Sequence, residues 1–522
     1  MRVDSVAVLG GGPAGLYAAR LLKLAHPAAR VVVHEQSTPA TTFGFGVAIA
    51  ARTQRNLEAA DPATLADMLA AGRPHDMRML VGDREARVHN GALIGIARPE
   101  LLAILTRHAQ AAGVEIEHGR RVALEELDAD LVVVADGVNS RTRTALADAL
   151  GAHVDVAGGL YLWAGVGVAL DTAIFAPATT AHGTFVTHAY PYAEGRSTFL
   201  VETDEATWRA AGFDVSTEET PPDASDTASL AYLSDAFADR LGGHRLIGNR
   251  TRWLRFRTVH CDRWTHGNVV LLGDAAHTAH YSVGSGTKLA MEDAIALVRA
   301  VHAADDLPAA LRTYEAERRP QVERLQELAR RSRLWWDSFP QRTHLPVDQL
   351  MVAYMTRTGN VDLTRFAGTN PDVVRRGLAA YAGTAVDALH DDILAWVLDR
   401  PLEHGGRRWA GRLLDAAERE RLSAPPGDVV GDLARVEVDL EDPWSAEGDV
   451  LVKRLHDLAQ RGWRGFWLTG PAARGAVLTR LDVGERLREE TGALVVVEGP
   501  PDTLGDLAAG LVAGRTDLVC AG

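Results

Sequence analysis

The sequence predicts an α/β fold in which a doubly wound domain is interrupted by an antiparallel sheet and followed by an α/β tail. Three observations lead to this prediction. A short apolar strand runs into a glycine-rich turn and a helix within residues 6–24. Apolar and β-branched residues alternate with polar ones over residues 160–257, which is typical of an antiparallel sheet with one covered face. Strand and helix patterns return at the end of the chain, after residue 480.

The first element is the strand Val6–Leu9, which leads into Gly-x-Gly-x-x-Gly and a helix over residues 16–24. In this motif the first glycine permits a tight turn, the second lets the backbone approach a pyrophosphate, and the third lets the helix pack on the strand. The helix N-terminus adds N–H donors and a positive dipole end. The predicted dinucleotide contacts of this turn are Gly10, Gly12, Pro13, Ala14 and Gly15.

A second strand, Val31–Val33, ends at His34 and Glu35, and Glu35 follows Gly15 by 20 residues. At about this spacing a carboxylate accepts hydrogen bonds from the adenosine ribose hydroxyls. We therefore predict that Glu35, with Gln36 beside it, completes a dinucleotide site.

Bulk properties exclude several classes of protein. A chain of 522 residues is long enough for two or three domains. The net charge of −14 argues against a nucleic-acid partner. Two cysteines cannot form a disulfide framework or a thiolate metal site, and no metal site is predicted. We see neither a leader nor an apolar run of membrane-spanning length, and so expect a cytoplasmic protein without a membrane partner.

Two further motifs follow predicted strands. The strand of residues 130–135 ends in Asp136-Gly137, with Arg141 and Arg143 just beyond. Alone, Asp-Gly indicates only a turn. The strand of residues 268–272 ends in Gly273-Asp274, where Asp274 is placed to accept from ribityl hydroxyls. A Gly-Ser-Gly-Thr turn then opens a helix at residues 284–287, whose N–H groups could meet a flavin carbonyl and stabilise a reduced ring.

In this order and spacing the three motifs resemble the group A flavoprotein aromatic hydroxylases. The resemblance implies a p-hydroxybenzoate-hydroxylase-type fold, non-covalent FAD, NADPH or NADH as reductant, and O₂ as oxidant. It also implies no separate nicotinamide domain, and the sequence contains no second Gly-x-Gly-x-x-Gly. The implied reaction is hydroxylation of an electron-rich ring by a hydroperoxide formed at flavin C4a.

A narrower resemblance is to the salicylyl-CoA 5-hydroxylase and 2-aminobenzoyl-CoA monooxygenase branch of these enzymes, and it extends to about Leu378. In place of the proline-bearing loop of the wider family this chain has Ala279–Ser282. The segments that carry the resemblance are Thr42–Val47, His188–Tyr190, Thr207–Gly212 and His280–Ala294.

The tail resembles part of an old-yellow-enzyme-like barrel, which some of those relatives carry with bound FMN. A complete barrel needs at least about 200 residues, whereas 522 − 386 = 136 follow Val386. Residues 481–487, 494–499 and 513–518 look like its last strands. We interpret the tail as a remnant that binds no FMN and supports a homo-oligomer, a dimer or larger; the alternative is an unrelated α/β tail.

The predicted organisation has four segments. They are a first part of the FAD-binding domain at 1–158, an antiparallel substrate domain at 159–260, the second FAD-binding part with a long helix at 261–345, and the tail domain at 346–522.

The resemblance and the strand pattern together define candidate site residues. Alternation places His188 and Tyr190 on one face of a strand, and His280 and Tyr281 lie on the loop beside the flavin edge. These four are the catalytic candidates, with imidazole suited to acid–base work near neutral pH. Further cofactor candidates are Phe45, Gly46, Arg98, Asp136, Arg141, Gly273, Asp274, Gly284, Gly286 and Thr287.

Several of these residues also have purely structural explanations. Arg98 could be an exposed residue at a helix start, and Arg141 and Arg143 could be solvated. Glycines such as Gly44 and Gly46 could simply make a loop flexible. We assign a structural role to His277, a core or interface role to Trp335 and Trp336, and no chemistry to Glu292 and Asp293, which we expect to face solvent or cap neighbouring elements.

The leading function is an FAD-dependent monooxygenase that hydroxylates a phenol, an aryl thioester or a hydroxypyridine in secondary metabolism, such as antibiotic biosynthesis. A shortened tail suggested a substrate other than a simple aroyl-CoA catabolite, for example a piericidin-type pyridinol. The alternatives are a flavoenzyme for epoxidation, Baeyer–Villiger insertion or oxidative rearrangement, and a non-catalytic flavin-binding scaffold.

Overall fold

The computed structural model describes residues 3–38, 44–284, 286–415, 417–419 and 433–522. Thr42, Phe43 and Ser285, which carry part of the resemblance, lie outside the described residues. The described strands are β1 (Ser5–Leu9), β2 (Arg30–Glu35), β3 (Gly46–Ile49), β4 (Arg73–Pro74), β5 (Met77–Val81), β6 (Arg84–Val88), β7 (Ile94–Ala97), β8 (Glu115–His118), β9 (Leu131–Val134), β10 (Ala152–Val166), β11 (Ala173–Thr180), β12 (Gly183–Ala193), β13 (Arg196–Thr203), β14 (Leu246–Ile247), β15 (Trp253–Cys261), β16 (Thr265–His266), β17 (Val269–Leu271), β18 (Leu402–His404), β19 (Arg407–Trp409), β20 (Ala434–Glu437), β21 (Gly465–Thr469), β22 (Leu494–Gly499) and β23 (Leu518–Ala521).

The described helices are α1 (Pro13–Ala25), α2 (Ala51–Ala60), α3 (Pro62–Ala71), α4 (Arg98–Ala111), α5 (Arg141–Ala145), α6 (Ala147–Leu150), α7 (Glu205–Ala210), α8 (Phe213–Glu219), α9 (Thr227–Ala236), α10 (Ala238–Leu241), α11 (Gly286–Ala303), α12 (Leu307–Asp337), α13 (Val347–Thr356), α14 (Leu363–Thr369), α15 (Pro371–Ala382), α16 (Ile393–Leu398), α17 (Ala446–Gln460), α18 (Arg474–Thr491) and α19 (Leu504–Val512).

The chain forms two compact units. The first comprises residues 1–80 and 90–333, and the second comprises residues 81–89 and 334–522. The finer division of the chain at residues 158, 260 and 345 stays a prediction.

A mainly parallel sheet organises the first unit. Its strand order is β16-β17-β9-β1-β2-β8, and every neighbouring pair is parallel except β16 and β17. Val31–Val33 and Leu131–Val134 are buried apolar runs, as expected for strands covered on both faces. Helix α1 packs against α4 and α11. Because parallel strands end at the same edge, the residues that follow β1, β2, β9 and β17 come together there.

An antiparallel sheet accounts for most of the remaining strands of the first unit. Its order is β14-β10-β13-β12-β11, β15 pairs with β10, and β5 adds to β11 in parallel. Alternate residues of these strands face one apolar core, which includes Leu162, Phe185, Phe199, Val201 and Trp253. The predicted combination of a doubly wound sheet with an antiparallel sheet is confirmed.

The second unit contains four parallel strands in the order β20-β21-β22-β23. Helices α17, α18 and α19 connect them in sequence. The core of this sheet includes Trp409, Trp467, Val496, Leu518 and Cys520. The α/β tail is therefore confirmed. Sequential parallel strands joined by helices occur both within a (β/α)₈ barrel and in other α/β folds, so the remnant stays a prediction.

A buried ion pair lies within the second unit. Arg342 and Glu485 have side chains that are 2% and 6% exposed, and Arg342 Nε donates to Glu485 Oε1 at 2.6 Å. Removing one partner of a buried pair leaves the other charge uncompensated, which costs about 3–5 kcal/mol.

We expect Arg342→Met to lower the free energy of unfolding of this unit by about 3–5 kcal/mol. The measurement is urea denaturation followed by far-UV circular dichroism. Arg408→Met is the matched control, because Arg408 and Glu403 form an ion pair whose side chains are 73% and 75% exposed. Equal effects of the two substitutions would show that burial does not determine the cost.

Candidate active site

Four cofactor candidates meet at the carboxyl edge of the parallel sheet. Gly10 follows β1, Glu35 ends β2, Asp136 follows β9, and Asp274 follows β17. These strands are neighbours in the sheet, so motifs separated by more than 200 residues are adjacent in space. This edge is where open α/β sheets bind ligands.

Two glycines of the first turn have different structural roles. A Cβ on Gly15 would lie 1.9 Å from the carbonyl oxygen of Gly10, so helix packing excludes any side chain there. A Cβ on Gly12 would meet nothing within 4 Å, and Gly12 is the N-cap of α1 with Pro13 at the first helical position. The helix therefore begins at an open space suited to phosphates.

Glu35 lies against this turn. Its Oε2 accepts from the Gly11 N–H at 2.6 Å, and its Oε1 accepts from the Ser37 N–H at 2.7 Å. A carboxylate has about four acceptor positions, so both oxygens retain capacity for ribose hydroxyls. Gln36 is exposed and accepts a hydrogen bond from Arg121 Nε at 2.7 Å.

Asp136 has an unsatisfied oxygen. Its Oδ2 accepts from the Arg141 N–H at 3.2 Å, but its Oδ1 is buried without a hydrogen-bond partner in the described part of the chain. Burial raises the pKa of this carboxyl. An unpaired buried acceptor costs about 1–3 kcal/mol, which a ligand hydroxyl at this position would recover. The Arg141 side chain is exposed.

Asp274 is the cofactor candidate that follows β17. The side chain is accessible to solvent yet surrounded by protein, and this desolvation raises its pKa against the opposing effects of His277 and Arg98. Arg98 begins α4 and is partly buried, and desolvation lowers its pKa while Asp274 opposes the shift. Arg143 is buried and donates to the carbonyl oxygen of Ala275 at 2.9 Å. Arg143 is therefore engaged by the loop and is not available for a phosphate.

Together these residues fit a dinucleotide with a ribityl chain. The turn leaves space at a helix N-terminus, Glu35 offers acceptors to a ribose, Asp136 has an orphaned oxygen, and Asp274 is exposed to solvent. Gly284 and Gly286 are exposed, a Cβ on either would meet nothing within 4 Å, and Gly286 and Thr287 begin α11. This helix start is likewise open to a ligand.

Aromatic and imidazole side chains form a cluster in the first unit. Tyr281 has its ring centroid 4.0 Å from that of His280, 4.9 Å from Tyr161 and 6.0 Å from His188. Phe256 lies edge-on to His280 at 4.9 Å. The aromatic cluster, as we call it, consists of Tyr161, Phe175, His188, Phe256, His280 and Tyr281.

Tyr161 links the aromatic cluster electrostatically with Asp274. Burial, with a contribution from the charge of Asp274, raises the pKa of Tyr161 to about 12. The charge of Asp274, at the carboxyl edge of the parallel sheet, thus acts on a member of the aromatic cluster; this edge is called the cofactor edge below.

A buried carboxylate joins two members of the aromatic cluster. Glu202 accepts from Tyr281 Oη at 2.6 Å through Oε2, and His188 Nε2 lies 3.1 Å from its Oε1. Burial by itself would raise the pKa of Glu202, but His188, with contributions from His280 and Tyr281, lowers it below the ordinary value. Glu202 is therefore held as an acceptor for both neighbours.

A model of the FAD-binding domain family matches residues 4–329. The salicyloyl-CoA 5-hydroxylase of Streptomyces sp. is 37% identical over 98% of this chain and 99% of its own length. The chain belongs to the FAD-dependent aromatic monooxygenases.

Two further proteins are similar to this monooxygenase. The 3-hydroxy-4-methyl-anthranilyl-[aryl-carrier protein] 5-monooxygenase of Streptosporangium sibiricum is 39% identical over 68% of this chain and 95% of its own length. A crystal structure of 2-methyl-3-hydroxypyridine-5-carboxylic acid oxygenase, mutant C294A, covers 70% of this chain and 98% of its own, with a TM-score of 0.55 and 21% identity. The structural likeness confirms the fold. Among the described helices of the monooxygenase, none is both long and apolar enough to cross a membrane.

The structure brings three of the four catalytic candidates together. His188, His280 and Tyr281 belong to the aromatic cluster, whereas Tyr190 donates from its hydroxyl to the Gly46 carbonyl at 2.7 Å. Burial raises the pKa of Tyr190 to about 12, which keeps it a neutral donor. Tyr190 thus supports the first residue of β3, and its catalytic role stays a prediction.

The loop that contains Phe45 and Gly46 packs against aromatic side chains. A Cβ on Gly46 would lie 2.4 Å from Tyr192 Cβ, and the ring of Phe45 lies against Gly165. The Phe45 carbonyl accepts from the Arg98 N–H at 2.9 Å. Close packing by Tyr192 therefore suffices to explain the glycine at 46.

Asp293 does not face solvent but meets the other sequence expectation, since it accepts from the first N–H of the short helix Gly273–Ala275. We expected it to face solvent or cap a neighbouring element; it is fully buried and accepts from the Gly273 N–H at 3.0 Å. His277 Nε2 lies 2.7 Å from the same carboxylate, and Arg318 Nε donates to it at 2.9 Å. A solvent position is therefore wrong for Asp293, which with His277 holds the loop that contains Asp274.

Sequence reasoning missed Glu202, Tyr161 and Phe256. The available signal for Glu202 was an acid at the end of the apolar run Phe199–Val201, because a charge in a buried strand requires a partner. No comparable signal distinguishes Tyr161 or Phe256 from the other aromatic residues of the sheet.

Proposed function

We propose that the monooxygenase hydroxylates an aromatic ring that carries an ortho hydroxyl or amino group and is bound as an acyl thioester. In this proposal NAD(P)H and O₂ are co-substrates, and the reaction belongs to secondary metabolism. The observation that carries it is the buried Glu202, hydrogen-bonded to Tyr281 within the aromatic cluster next to the cofactor edge.

The names of the two relatives support the thioester. One name specifies salicyloyl-CoA, the other an anthranilyl group on an aryl-carrier protein, and both specify position 5. A shortened tail does not argue against an aroyl-CoA substrate, because the salicyloyl-CoA 5-hydroxylase aligns over 99% of its own length with this chain. Position 5 is para to the ortho donor, where a hydroxyl or amine raises the electron density of the ring.

The cofactor would be held by the glycine turn, Glu35, Asp136, Arg98 and Asp274. FAD, when bound, supplies the oxidising chemistry. The chain itself must bind the ring, exclude water and accept a hydrogen bond from the ring substituent.

Tyr281 is suited to that last task. Its hydroxyl donates its proton to Glu202, and because a phenol oxygen can accept as well as donate, Tyr281 is suited to accept a hydrogen bond from a ring hydroxyl. A carboxylate behind the tyrosine strengthens this acceptor, as in other hydrogen-bonded chains. The aromatic faces of Tyr161 and Phe256 provide apolar walls for the ring.

The test compares aromatic substrates for acceleration of NAD(P)H oxidation and for a product with one added oxygen atom. We expect salicyloyl-CoA or 2-aminobenzoyl-CoA to give both, and benzoyl-CoA, which lacks the ring donor, to give no oxygenated product. Turnover of free salicylate at the rate of its thioester would contradict the thioester requirement. A purified protein without FAD, or indifference to every aromatic compound, would contradict the enzymatic proposal.

We propose in addition that the tail is a barrel remnant without FMN that supports self-association. At the carboxyl edge of its sheet, Glu498 accepts from Trp467 Nε1 at 2.9 Å and pairs with Arg419 at 3.1 Å and Arg435 at 3.7 Å. These ion pairs engage the edge at which a barrel binds its ligand. One FMN per chain after purification would contradict the absence of FMN. A monomer by analytical ultracentrifugation would contradict self-association.

A further inference from the structure

Two strands of the first unit place three metal-ligating side chains on one face. His153 and Asp155 lie two residues apart on β10, so both point to the same side of the sheet. His260 on β15 is the direct cross-strand partner of His153. None of the three belongs to the aromatic cluster or to the cofactor candidates.

The side chains have already converged. The imidazole rings of His153 and His260 stack with centroids 4.8 Å apart and an interplanar angle of 14°. His260 Nε2 lies 3.3 Å from Asp155 Oδ2. One ligand atom from each of the three residues lies within 4.8 Å of the others.

The donor set favours a particular class of metal. Two imidazole nitrogens and one carboxylate oxygen suit Zn²⁺ and neighbouring late transition metals, whereas Mg²⁺ and Ca²⁺ prefer oxygen ligands. Metal–ligand distances of about 2.0–2.2 Å require the ligand atoms to move closer together. His153 and Asp155 are exposed and can rotate to do so, while the strand pairing holds their backbones.

His260 has the supporting contacts of a metal ligand. The Gln326 side chain hydrogen-bonds to the imidazole, and its Nε2 donates to the carbonyl oxygens of Val259 and Thr278, each at 2.9 Å. Such outer contacts fix the orientation of a ligating histidine.

We propose that His153, Asp155 and His260 bind one Zn²⁺ ion on the surface of the β10–β15 pair. Three protein ligands leave one position of a tetrahedral site for water. The ion cross-links the two strands and thereby stabilises the folded first unit, since a ligand that binds only the folded state raises its stability.

The experiment uses full-length, FAD-loaded protein without an affinity tag, treated with EDTA and then dialysed. Isothermal titration with ZnCl₂ is expected to show one saturable site per chain, and MgCl₂ none. His153→Ala and Asp155→Asn should each weaken zinc binding at least tenfold and abolish the zinc-dependent rise in Tm. Both residues are exposed, so the variants should retain FAD.

His266→Ala is the matched control, because His266 is an exposed histidine on β16, the next strand along the chain, which belongs to the other sheet of the first unit. It should bind zinc like the wild type. Unchanged zinc affinity in both the His153 and the Asp155 variants, loss of affinity in the His266 variant alone, or no saturable site in the wild type would each overturn the proposal.

Discussion

Replacing Gly15 with alanine is expected to abolish FAD retention and to destabilise the first unit. The new Cβ would lie 1.9 Å from the Gly10 carbonyl oxygen, and a backbone atom cannot rotate away as a side chain can. Overpacking of this kind costs about 1–3 kcal/mol or more. The measurements are the FAD-to-protein absorbance ratio after purification and the Tm of the apoprotein.

Gly12→Ala separates folding from cofactor binding. A Cβ on Gly12 would meet nothing within 4 Å, so the apoprotein should keep its Tm. The same Cβ would occupy the space at the N-terminus of α1, and we expect FAD affinity to fall at least tenfold, a loss of about 1.4 kcal/mol. Equal apoprotein Tm values for Gly12→Ala and Gly15→Ala would show that the fold accommodates the contact between the new Cβ at position 15 and the Gly10 carbonyl oxygen. Full FAD affinity in Gly12→Ala would place the phosphates elsewhere.

Replacing Glu202 with glutamine is expected to lower kcat for ring hydroxylation by about 10²-fold, the lower end of the range for general acid–base contributions. The neutral amide removes the carboxylate that both Tyr281 and His188 approach. FAD content and anaerobic flavin reduction by NAD(P)H should stay near wild type, so NAD(P)H consumption becomes uncoupled from product. Tyr281→Phe should give the same uncoupling, because it removes the hydroxyl through which Glu202 acts.

Glu205→Gln is the matched control for this experiment. Glu205 lies three residues further along the chain, is 44% exposed and pairs with Arg209 and Arg255. It should hydroxylate at the wild-type rate. Coupled turnover in Glu202→Gln would show that the carboxylate is structural. If Glu202→Gln loses FAD, a folding defect explains its low activity. Tyr281→Phe then decides between a folding defect and a catalytic effect of the carboxylate.

The cofactor edge could be predicted because its information is local. Gly10, Gly12 and Gly15 occur in one turn, and the strands that precede Glu35, Asp136 and Asp274 are continuous apolar runs. Once such runs are assigned to one parallel sheet, chain geometry brings their carboxyl ends to one edge. The model shows this convergence, and the family match confirms the type of domain.

The aromatic cluster could be predicted only in part. The loop residues His280 and Tyr281 stood out because they replace a proline-bearing loop of the wider family. Glu202 depends on the register of β12 against β13, in which His188 faces Leu200 and the glutamate lies diagonally opposite. A shift of one residue would turn Glu202 to the other face, and a single sequence does not specify that register.

The sequence by itself determined the doubly wound domain, the dinucleotide turn and the family, because these depend on the spacing of residues within short segments. Only the tertiary structure decided that Glu202 faces Tyr281, that Asp293 is buried, and that His153 meets His260. These relations join strands and loops far apart in the chain. They follow from strand register and from the requirement that a buried charge find a partner, and local sequence patterns record neither of these.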